Sequence, residues 1–278
     1  MPMSQPLISL VTTLFLFIIS SSPNTNADPP RDIFLLAGQS NMAGRGGVHH
    51  GVWDRFVPPE SQPSPDILRL NSRDSWEVAH EPLHVDIDVG KTCGVGPGMA
   101  FARGVQSLGG SRFGVIGLVP CAVGGTKISQ WARGTALYGQ LVRRAKVAMH
   151  LQGGGKIRAL LWYQGESDTV TIDDAKAYKG RMEDFIGDLR SDLGDPSLFI
   201  IQVALASGEG KYVEMVRAAQ LGITSPNVKC VDAKGLRLEA DHLHLTTISQ
   251  VRLGLIFARA FLGISHTDTA NITSSVGT

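Results

Sequence analysis

The feature that most constrains the fold is a regular alternation of apolar segments with helical segments along the second half of the chain. The apolar segments have the length of strands and lie at residues 113–119, 157–163, 198–205 and 228–231. Helical patterns follow them at about 138–151, 173–193, 212–221 and 248–262. Strands that alternate with helices predict a parallel sheet covered on both faces. We therefore expect one α/β domain, which also includes an apolar strand at 32–37 and a helix at 99–108.

Length and charge limit the classes of protein to consider. The chain has 278 residues, 43% of them hydrophobic, and a formal net charge of +1. This is enough apolar material for one well-buried domain. A balance so close to neutral provides no electrostatic surface for nucleic acid or for an anionic membrane, so neither is expected as a partner.

The two ends of the chain differ from the middle. Residues 1–27 are typical of a secretory signal peptide, with an apolar core at about 7–19 and small residues at 25–27. A membrane anchor is the alternative, but the core is shorter than the ~20 residues that a span needs. We expect a secreted protein, extracellular or in the cell wall, with a folded domain at 28–265 and a polar tail at 266–278. The tail holds one N-glycosylation sequon at Asn271.

Three cysteines, Cys93, Cys121 and Cys230, are too few for a disulfide scaffold. An odd number allows at most one intramolecular bridge, and the spacing does not match a metal site. Cys121 precedes a glycine-rich loop and is an alternative nucleophile, although a serine elsewhere has the better setting.

That serine is Ser40, which follows the apolar strand at 32–37. Gly38 ends the strand, and Gln39, Ser40 and Asn41 occupy the turn. The carboxyl end of a strand is where open α/β sheets place their ligand crevice. We predict that Ser40 is a nucleophile. The loop at 44–64, rich in glycine and proline and containing Trp53, is expected to line a binding cleft.

Two motif matches are set aside. The run from His80 to His84 fits the zinc pattern H-E-x-x-H, but Pro82 would break the helix that this site requires. The run 94–98 is a partial dinucleotide fingerprint without the full glycine spacing or a strong preceding strand. We therefore expect neither a metal nor a nucleotide cofactor.

Loops after the strands at 113–119 and 157–163 offer hydrogen-bond donors. Gly124 and Gly125 permit a close approach of backbone N–H groups to a ligand, as an oxyanion hole requires. The Gln164 amide follows the other strand and belongs to the same sheet edge. Glu166 and Asp168 are either cleft residues or structural partners.

The last loop contains an aspartate and a histidine three residues apart, Asp241 and His244. This spacing lets one turn place both side chains on one side, where a carboxylate holds the imidazole in the tautomer that accepts a proton. His242 is a competing base, although its position next to Asp241 directs it elsewhere. Metal ligation by the two histidines is a weaker alternative, since no third ligand is evident. Residues 247–250 resemble a capping box at the start of the last helix.

Four motifs in this order resemble a known family. They are Gly38-Gln-Ser-Asn-Met42, the Gly-Gly-Thr loop, Trp162-Tyr-Gln-Gly-Glu166 and Asp241-x-x-His244. Together they resemble the SGNH hydrolase superfamily, and within it the sialate O-acetylesterase-type (SASA) branch, carbohydrate esterase family six, and its plant probable carbohydrate esterases. The resemblance implies a three-layer, flavodoxin-like α/β/α sandwich with a central parallel sheet, and a Ser-His-Asp esterase that needs no cofactor and no metal.

Carried over by position, the resemblance makes Ser40 the nucleophile, His244 the base and Asp241 its orienter. The oxyanion hole would be formed by Ser40, Gly124, Gly125 and Gln164. Gln164 stands where the superfamily usually has asparagine. Gln39, Asn41 and Glu166 are candidates for the substrate cleft. Met42 replaces the second glycine of a G-x-S-x-G elbow, which argues against an α/β-hydrolase lipase.

The sequence thus favours a secreted esterase that removes O-acetyl groups from carbohydrate, such as acetylated xylan of the cell wall. The expected partner is the acetylated carbohydrate itself, with no stable membrane association after signal cleavage. An esterase for small acylated metabolites and a carbohydrate-binding protein without catalysis are the alternatives. The oligomeric state is not predicted.

Overall fold

A computed structural model of the chain describes Met1 and residues 30–264. Apart from Met1, the predicted signal peptide lies outside the described residues, as do the tail at 266–278 and the sequon at Asn271. In the described part of the chain, no helix combines the length and the apolar character needed to cross a membrane.

A seven-stranded sheet with the order β5-β4-β6-β1-β7-β8-β9 forms the centre of the fold. All neighbouring strands in it are parallel except β5, which pairs antiparallel with β4 at one edge. Its strands are β1 (Arg31–Gly38), β4 (Ile67–Leu70), β5 (Trp76–Val78), β6 (Ile116–Pro120), β7 (Gly155–Tyr163), β8 (Phe199–Ala204) and β9 (Val228–Asp232). The hairpin β2 (Val48–His49) and β3 (Val52–Trp53) is a separate small sheet.

Helices cover the sheet in two groups. One group is α2 (Gly98–Gly109) and α6 (Thr247–Leu262), which pack against each other; the other is α3 (Ala136–His150), α4 (Ile172–Leu193) and α5 (Val213–Leu221). A short helix, α1 (Ser40–Ala43), follows β1 directly. The fold is therefore an α/β fold of three layers, as the alternation in the sequence and the family resemblance predict.

Aromatic side chains join each helical layer to the middle of the sheet. Phe34 of β1 meets Phe101 of α2 and Phe261 of α6 edge to face, with ring centroids 4.8 Å and 5.0 Å away. On β7, Trp162 packs on Phe185 of α4 at 4.6 Å. Trp162 is in register with Ala37, three residues along β1 from Phe34, so the two clusters lie on opposite faces. Both faces of the sheet are thus covered by apolar side chains, which explains why the strands are continuous apolar runs in the sequence.

The structure adds short elements that the sequence did not predict. The segment 44–64, expected to be a loop, contains the hairpin β2–β3, and β5 makes the sheet mixed. Residues 80–84 form bends and turns and not a helix, so the zinc-protease geometry is absent. The glycine run at 94–98 leads into α2, and the Gly94 N–H donates to the Gly44 carbonyl.

Candidate active site

A chain of hydrogen bonds joins three side chains at the carboxyl edge of the sheet. His244 Nε2 lies 3.0 Å from Ser40 Oγ, and His244 Nδ1 lies 2.6 Å from Asp241 Oδ2. Ser40 and His244 are 204 positions apart in the sequence. An imidazole held between a hydroxyl and a carboxylate is the arrangement that lets a serine lose its proton to nitrogen during attack on a carbonyl.

Backbone geometry at the end of β1 positions Ser40. Gly38 has φ of +132°, and a Cβ at this position would lie 2.1 Å from the Tyr163 carbonyl oxygen. Only glycine permits this close approach between the ends of β1 and β7. The chain then turns into α1, whose first residue is Ser40, so the serine lies at the carboxyl end of β1.

Local hydrogen bonds shape the loop that carries His244. Asp241 Oδ1 accepts the backbone N–H groups of Leu243 and His244, both at 2.9 Å, which leaves Oδ2 for the imidazole. Burial by itself would raise the pKa of Asp241, but these two N–H groups and the imidazole outweigh it and lower the pKa. Asp241 is therefore held as a carboxylate. The competing His242 is exposed, adopts φ of 56°, and is not part of this chain of bonds.

A cavity of about 210 Å³ opens in front of Ser40. Its lining comprises Ser40, Arg45, Lys91, Gly124, Gly125, Glu209, Leu243 and His244. A second cavity, of about 370 Å³, shares Arg45, Lys91 and His244 with the first and extends to His50 and Gly51 of the β2–β3 turn. The two cavities therefore adjoin at the imidazole. Trp53, the aromatic residue of the same segment, is half-buried against Gly94 and lines neither cavity.

Three of the predicted cleft residues lie elsewhere. Gln39, Asn41 and Glu166 are fully buried, so the expectation that they line the substrate cleft does not fit the structure. Asn41 instead holds the histidine loop: its Nδ2 donates to the Leu243 carbonyl at 3.3 Å, and its Oδ1 accepts the Leu245 N–H at 2.9 Å. These residues flank His244 on both sides.

Glu166 completes this buried network. Its Oε1 accepts a second hydrogen bond from Asn41 Nδ2, at 2.8 Å, while Oε2 is buried without a hydrogen-bond partner among the described residues. Burial raises the pKa of Glu166 to about 7, although the bond from Asn41 lowers it. Burial also raises the pKa of Asp168 to about 6, against the bond from Gln164. Both carboxyls thus act as structural partners, one of the two interpretations that the sequence left open.

The oxyanion role expected of Gln164 does not fit this geometry either. Its side chain is fully buried, and Nε2 donates to Asp168 Oδ2 at 2.6 Å and to the Thr126 carbonyl at 2.7 Å. The amide therefore ties β7 to the glycine loop and does not face the cavity. The Gly124 N–H is also engaged, because it donates to Asp88 Oδ2 at 3.1 Å. Of the expected donors, Ser40 and Gly125 remain at the cavity.

The cysteine and metal alternatives receive no support from the described residues. Cys93, Cys121 and Cys230 are all free thiols. Burial raises the pKa of the Cys121 thiol to about 11, which leaves almost no thiolate for attack at neutral pH. Within residues 30–264, no group of three or more His, Cys, Asp or Glu side chains is arranged to hold a metal ion.

Four charged residues near Ser40 were not assigned a role from the sequence: Arg45, Asp88, Lys91 and Glu209. Arg45 and Asp88 form a buried ion pair, whereas Lys91 and Glu209 are exposed at the cavity. Glu209 Oε1 accepts a hydrogen bond from Ser167 Oγ at 2.8 Å. The only sequence signal for Arg45 was its place in the glycine-rich loop at 44–64, which was expected to line the cleft. No local signal pointed to the other three.

Fold and site together define a class: a serine, a histidine and an aspartate linked at the carboxyl edge of a mostly parallel α/β sheet are the features of serine hydrolases of α/β architecture. A family model described as carbohydrate esterase, sialic acid-specific acetylesterase matches residues 30–263. The chain belongs to this family of carbohydrate esterases, and membership supports an esterase that removes O-acetyl groups from carbohydrate.

Relatives agree with this assignment. A curated Arabidopsis thaliana protein named a probable carbohydrate esterase is 58% identical over 240 residues, which cover 84% of this chain and 91% of that protein. An X-ray structure of a protein from Arabidopsis thaliana, 56% identical, superimposes with a TM-score of 0.82 over 84% of this chain and 99% of that one. The crystal structure of NanS, 18% identical, has a TM-score of 0.67 over 84% of this chain and 97% of its own, and shows the shared fold.

Proposed function

We propose that the protein is a secreted serine esterase that removes O-acetyl groups from a cell-wall polysaccharide such as acetylated xylan. The observation that carries the proposal is the chain of hydrogen bonds from Ser40 through His244 to Asp241 beside a cavity. Family membership supports the ester bond and the carbohydrate alcohol. The composition of residues 1–27 supports secretion.

The chemistry is acyl transfer in two steps. Ser40 Oγ attacks the acetyl carbonyl carbon while His244 Nε2 takes the hydroxyl proton, and Asp241 holds the imidazolium that results. The carbonyl electron pair moves to oxygen and returns as the sugar oxygen leaves, protonated by His244. Water then attacks the acetyl-serine by the same route, which releases acetate and restores Ser40.

The two adjoining cavities suit a small acyl group on a polar alcohol. The inner cavity of about 210 Å³ at Ser40 has room for an acetyl group and for part of the alcohol that carries it. The outer cavity carries polar side chains, among them Lys91, Thr92 and Asp241, that are able to hydrogen-bond sugar hydroxyl groups. This lining favours a carbohydrate over an apolar ester.

Acetate release tests the proposal directly. The chain without residues 1–27 is incubated with acetylated xylan and, separately, with an aryl acetate, and Ser40→Ala is assayed in parallel. We expect release from both esters by the wild type and from neither by the variant. Release from the aryl ester alone would move the substrate to a small acylated metabolite, and retention of activity in Ser40→Ala would remove the assigned nucleophile.

Binding without catalysis is separable from these outcomes. A serine-directed fluorophosphonate labels an activated hydroxyl whatever the natural ester is. A folded wild-type protein that binds xylan, releases no acetate and resists this label would be a carbohydrate-binding protein and not an esterase.

A further inference from the structure

A buried positive charge stands beside Ser40 that the three-residue chain does not use. Arg45 is 5% exposed, yet it borders both cavities of the site. A Cβ at Gly124 would lie 2.7 Å from Arg45 Nη2 and 3.4 Å from Ser40 Cβ. The guanidinium nitrogen and the serine carbon are therefore no farther apart than the sum of these two distances. Glycine at position 124 keeps the space between them open.

Asp88 fixes this arrangement. Its Oδ2 accepts from Arg45 Nη2 and from the Gly124 N–H, and its side chain is only 3% exposed. Arg45 Nη1 donates to the Gly44 carbonyl at 2.9 Å and contacts Cys93 Sγ at 3.4 Å. The guanidinium is thus held from two sides, and the Gly124 N–H is directed away from the cavity. A buried ion pair contributes little net stability, so stability alone does not account for it.

Arg45 retains hydrogen-bond donors that no protein group uses. A guanidinium carries five N–H hydrogens. Among the described residues, Nη1 makes two of these hydrogen bonds and Nη2 makes one. Nε has no hydrogen-bond partner among the same residues. Nε and the second hydrogen on Nη2 consequently have no acceptor among the described residues, and Arg45 lines the cavity that would hold a ligand.

We propose that Arg45 is a catalytic residue whose guanidinium stabilises the oxyanion formed when Ser40 attacks an ester carbonyl, with Asp88 as the residue that positions it. The inference rests on the proposed function. As the Oγ–C bond forms, the carbonyl electron pair moves to oxygen, and the guanidinium donates a hydrogen bond to that oxygen without losing its proton. A guanidinium carries a full positive charge and is held in place here, so it is a stronger hydrogen-bond donor than a neutral amide. Neutral amides of Gly124 and Gln164 were the donors that the sequence predicted.

Two variants separate this role from simple neutralisation of Asp88. Arg45→Met should lower kcat/KM for an aryl acetate by ~10²-fold or more, as loss of an oxyanion donor does elsewhere. It also leaves Asp88 as a buried, unpaired charge, which can unfold the protein. The double variant Arg45→Met/Asp88→Asn removes both charges and should fold, yet remain as slow as the single variant. Activity within about threefold of wild type in the folded double variant would overturn the inference. Arg103→Met, an arginine that binds the 62–63 backbone away from the cavities, is the matched control.

Binding of an arylboronic acid provides a readout that does not need turnover. Addition of Ser40 Oγ to boron gives a tetrahedral anion that resembles the oxyanion intermediate. Its dissociation constant should rise in Arg45→Met/Asp88→Asn by about the factor by which kcat/KM falls, while KM changes little. An unchanged constant in the double variant would contradict the role. A wild type that hydrolyses no ester would refute the proposed function, but the boronate measurement would still decide the role of Arg45.

Discussion

The two sides of Ser40 differ in almost every physical property. On the buried side lie four polar residues that are fully shielded from water: Gln39, Asn41, Gln164 and Glu166. On the open side, Gly125, Lys91 and Glu209 are exposed, and His244 is 22% exposed. We call these the buried side and the open side. The residues of both sides lie in the motifs or loops around the same serine.

This difference shows that closeness to Ser40 in sequence does not imply exposure at the cavity. Gln39 and Asn41 flank Ser40 directly, yet both turn into the protein. Gln39 Oε1 accepts from the Gly165 N–H at 3.3 Å, and Asn41 clamps the loop of His244. The buried side therefore works through geometry, since a base displaced by an ångström loses much of its rate. In the proposed mechanism, the reaction takes place on the open side.

The largest effect should come from the open side, without loss of stability. His244→Ala removes the group that takes the Ser40 proton in the proposed mechanism, so we expect turnover to fall by roughly 10⁴-fold. The imidazole is partly exposed and its partner Asp241 remains solvated, so the free energy of unfolding should change by less than about 1 kcal/mol. Acetate release and urea unfolding measure the two quantities. Near-normal turnover, or a protein that no longer folds, would contradict the expectation that the open side affects activity and not stability.

Asn41→Leu should show the opposite result: a large loss of stability and a small loss of activity. It leaves the Leu245 N–H and the Glu166 carboxyl without their partner, and each unsatisfied buried group costs about 1–3 kcal/mol. The Leu243 carbonyl loses one donor and keeps the Ser207 hydroxyl. We expect the free energy of unfolding to drop by about 3 kcal/mol, and kcat to fall ~10-fold as the histidine loop shifts. Asn227→Gly is the control, because Asn227 is exposed and its φ of 55° suits glycine. Full stability in Asn41→Leu would show that the clamp is dispensable.

Glu166 predicts a pH dependence of stability that belongs to the buried side. Its pKa rises from 4.5 to about 7 on burial, so between these values the folded chain binds more protons than the unfolded chain. Stability therefore falls as pH rises from 4.5 to about 7 and is level above that. Glu166→Gln removes this contribution. Relative to wild type, the variant should gain up to roughly 2–3 kcal/mol across this window.

Thermal unfolding of both proteins from pH 4.5 to 8.5 checks this prediction. Glu183→Gln, an exposed glutamate of α4, provides the baseline for the same chemical change in water. A difference between Glu166→Gln and wild type that stays constant over the whole range would show that the carboxyl is ionised at every pH.

The smallest effect is expected at the exposed cation of the open side. Lys91 lines both cavities but contacts none of the three linked side chains, so Lys91→Met should raise KM for acetylated xylan about two- to fivefold and leave kcat unchanged. Its effect on stability should be within ~0.5 kcal/mol. Lys176→Met, an exposed lysine of α4, is the control. A fall in kcat as large as that of Arg45→Met would extend the chemistry to this residue.

Most elements of the fold could be predicted from periodicity. The expected segments at 157–163, 173–193 and 198–205 differ from the observed strands and helix by two residues at most. Short elements were missed because two to four residues hold too little of a pattern: α1, the β2–β3 hairpin and the edge strand β5. The cap of α6 was predicted one residue late. Thr246 accepts the Ser249 N–H, and Gln250 donates to the Asn41 carbonyl and not to the cap.

By itself, the sequence determined the α/β layering and the residues Ser40, Asp241 and His244 as candidates. These depend on local quantities: hydrophobic periodicity, glycine at a strand end, and a spacing of three within one turn. Only the tertiary structure decided which side of Ser40 each neighbour faces, and that Gln164 binds Asp168, Gly124 binds Asp88, and Arg45 borders the cavity. Those outcomes depend on competition among donors and acceptors that are distant in sequence. A buried polar group takes whichever partner the folded chain brings near it.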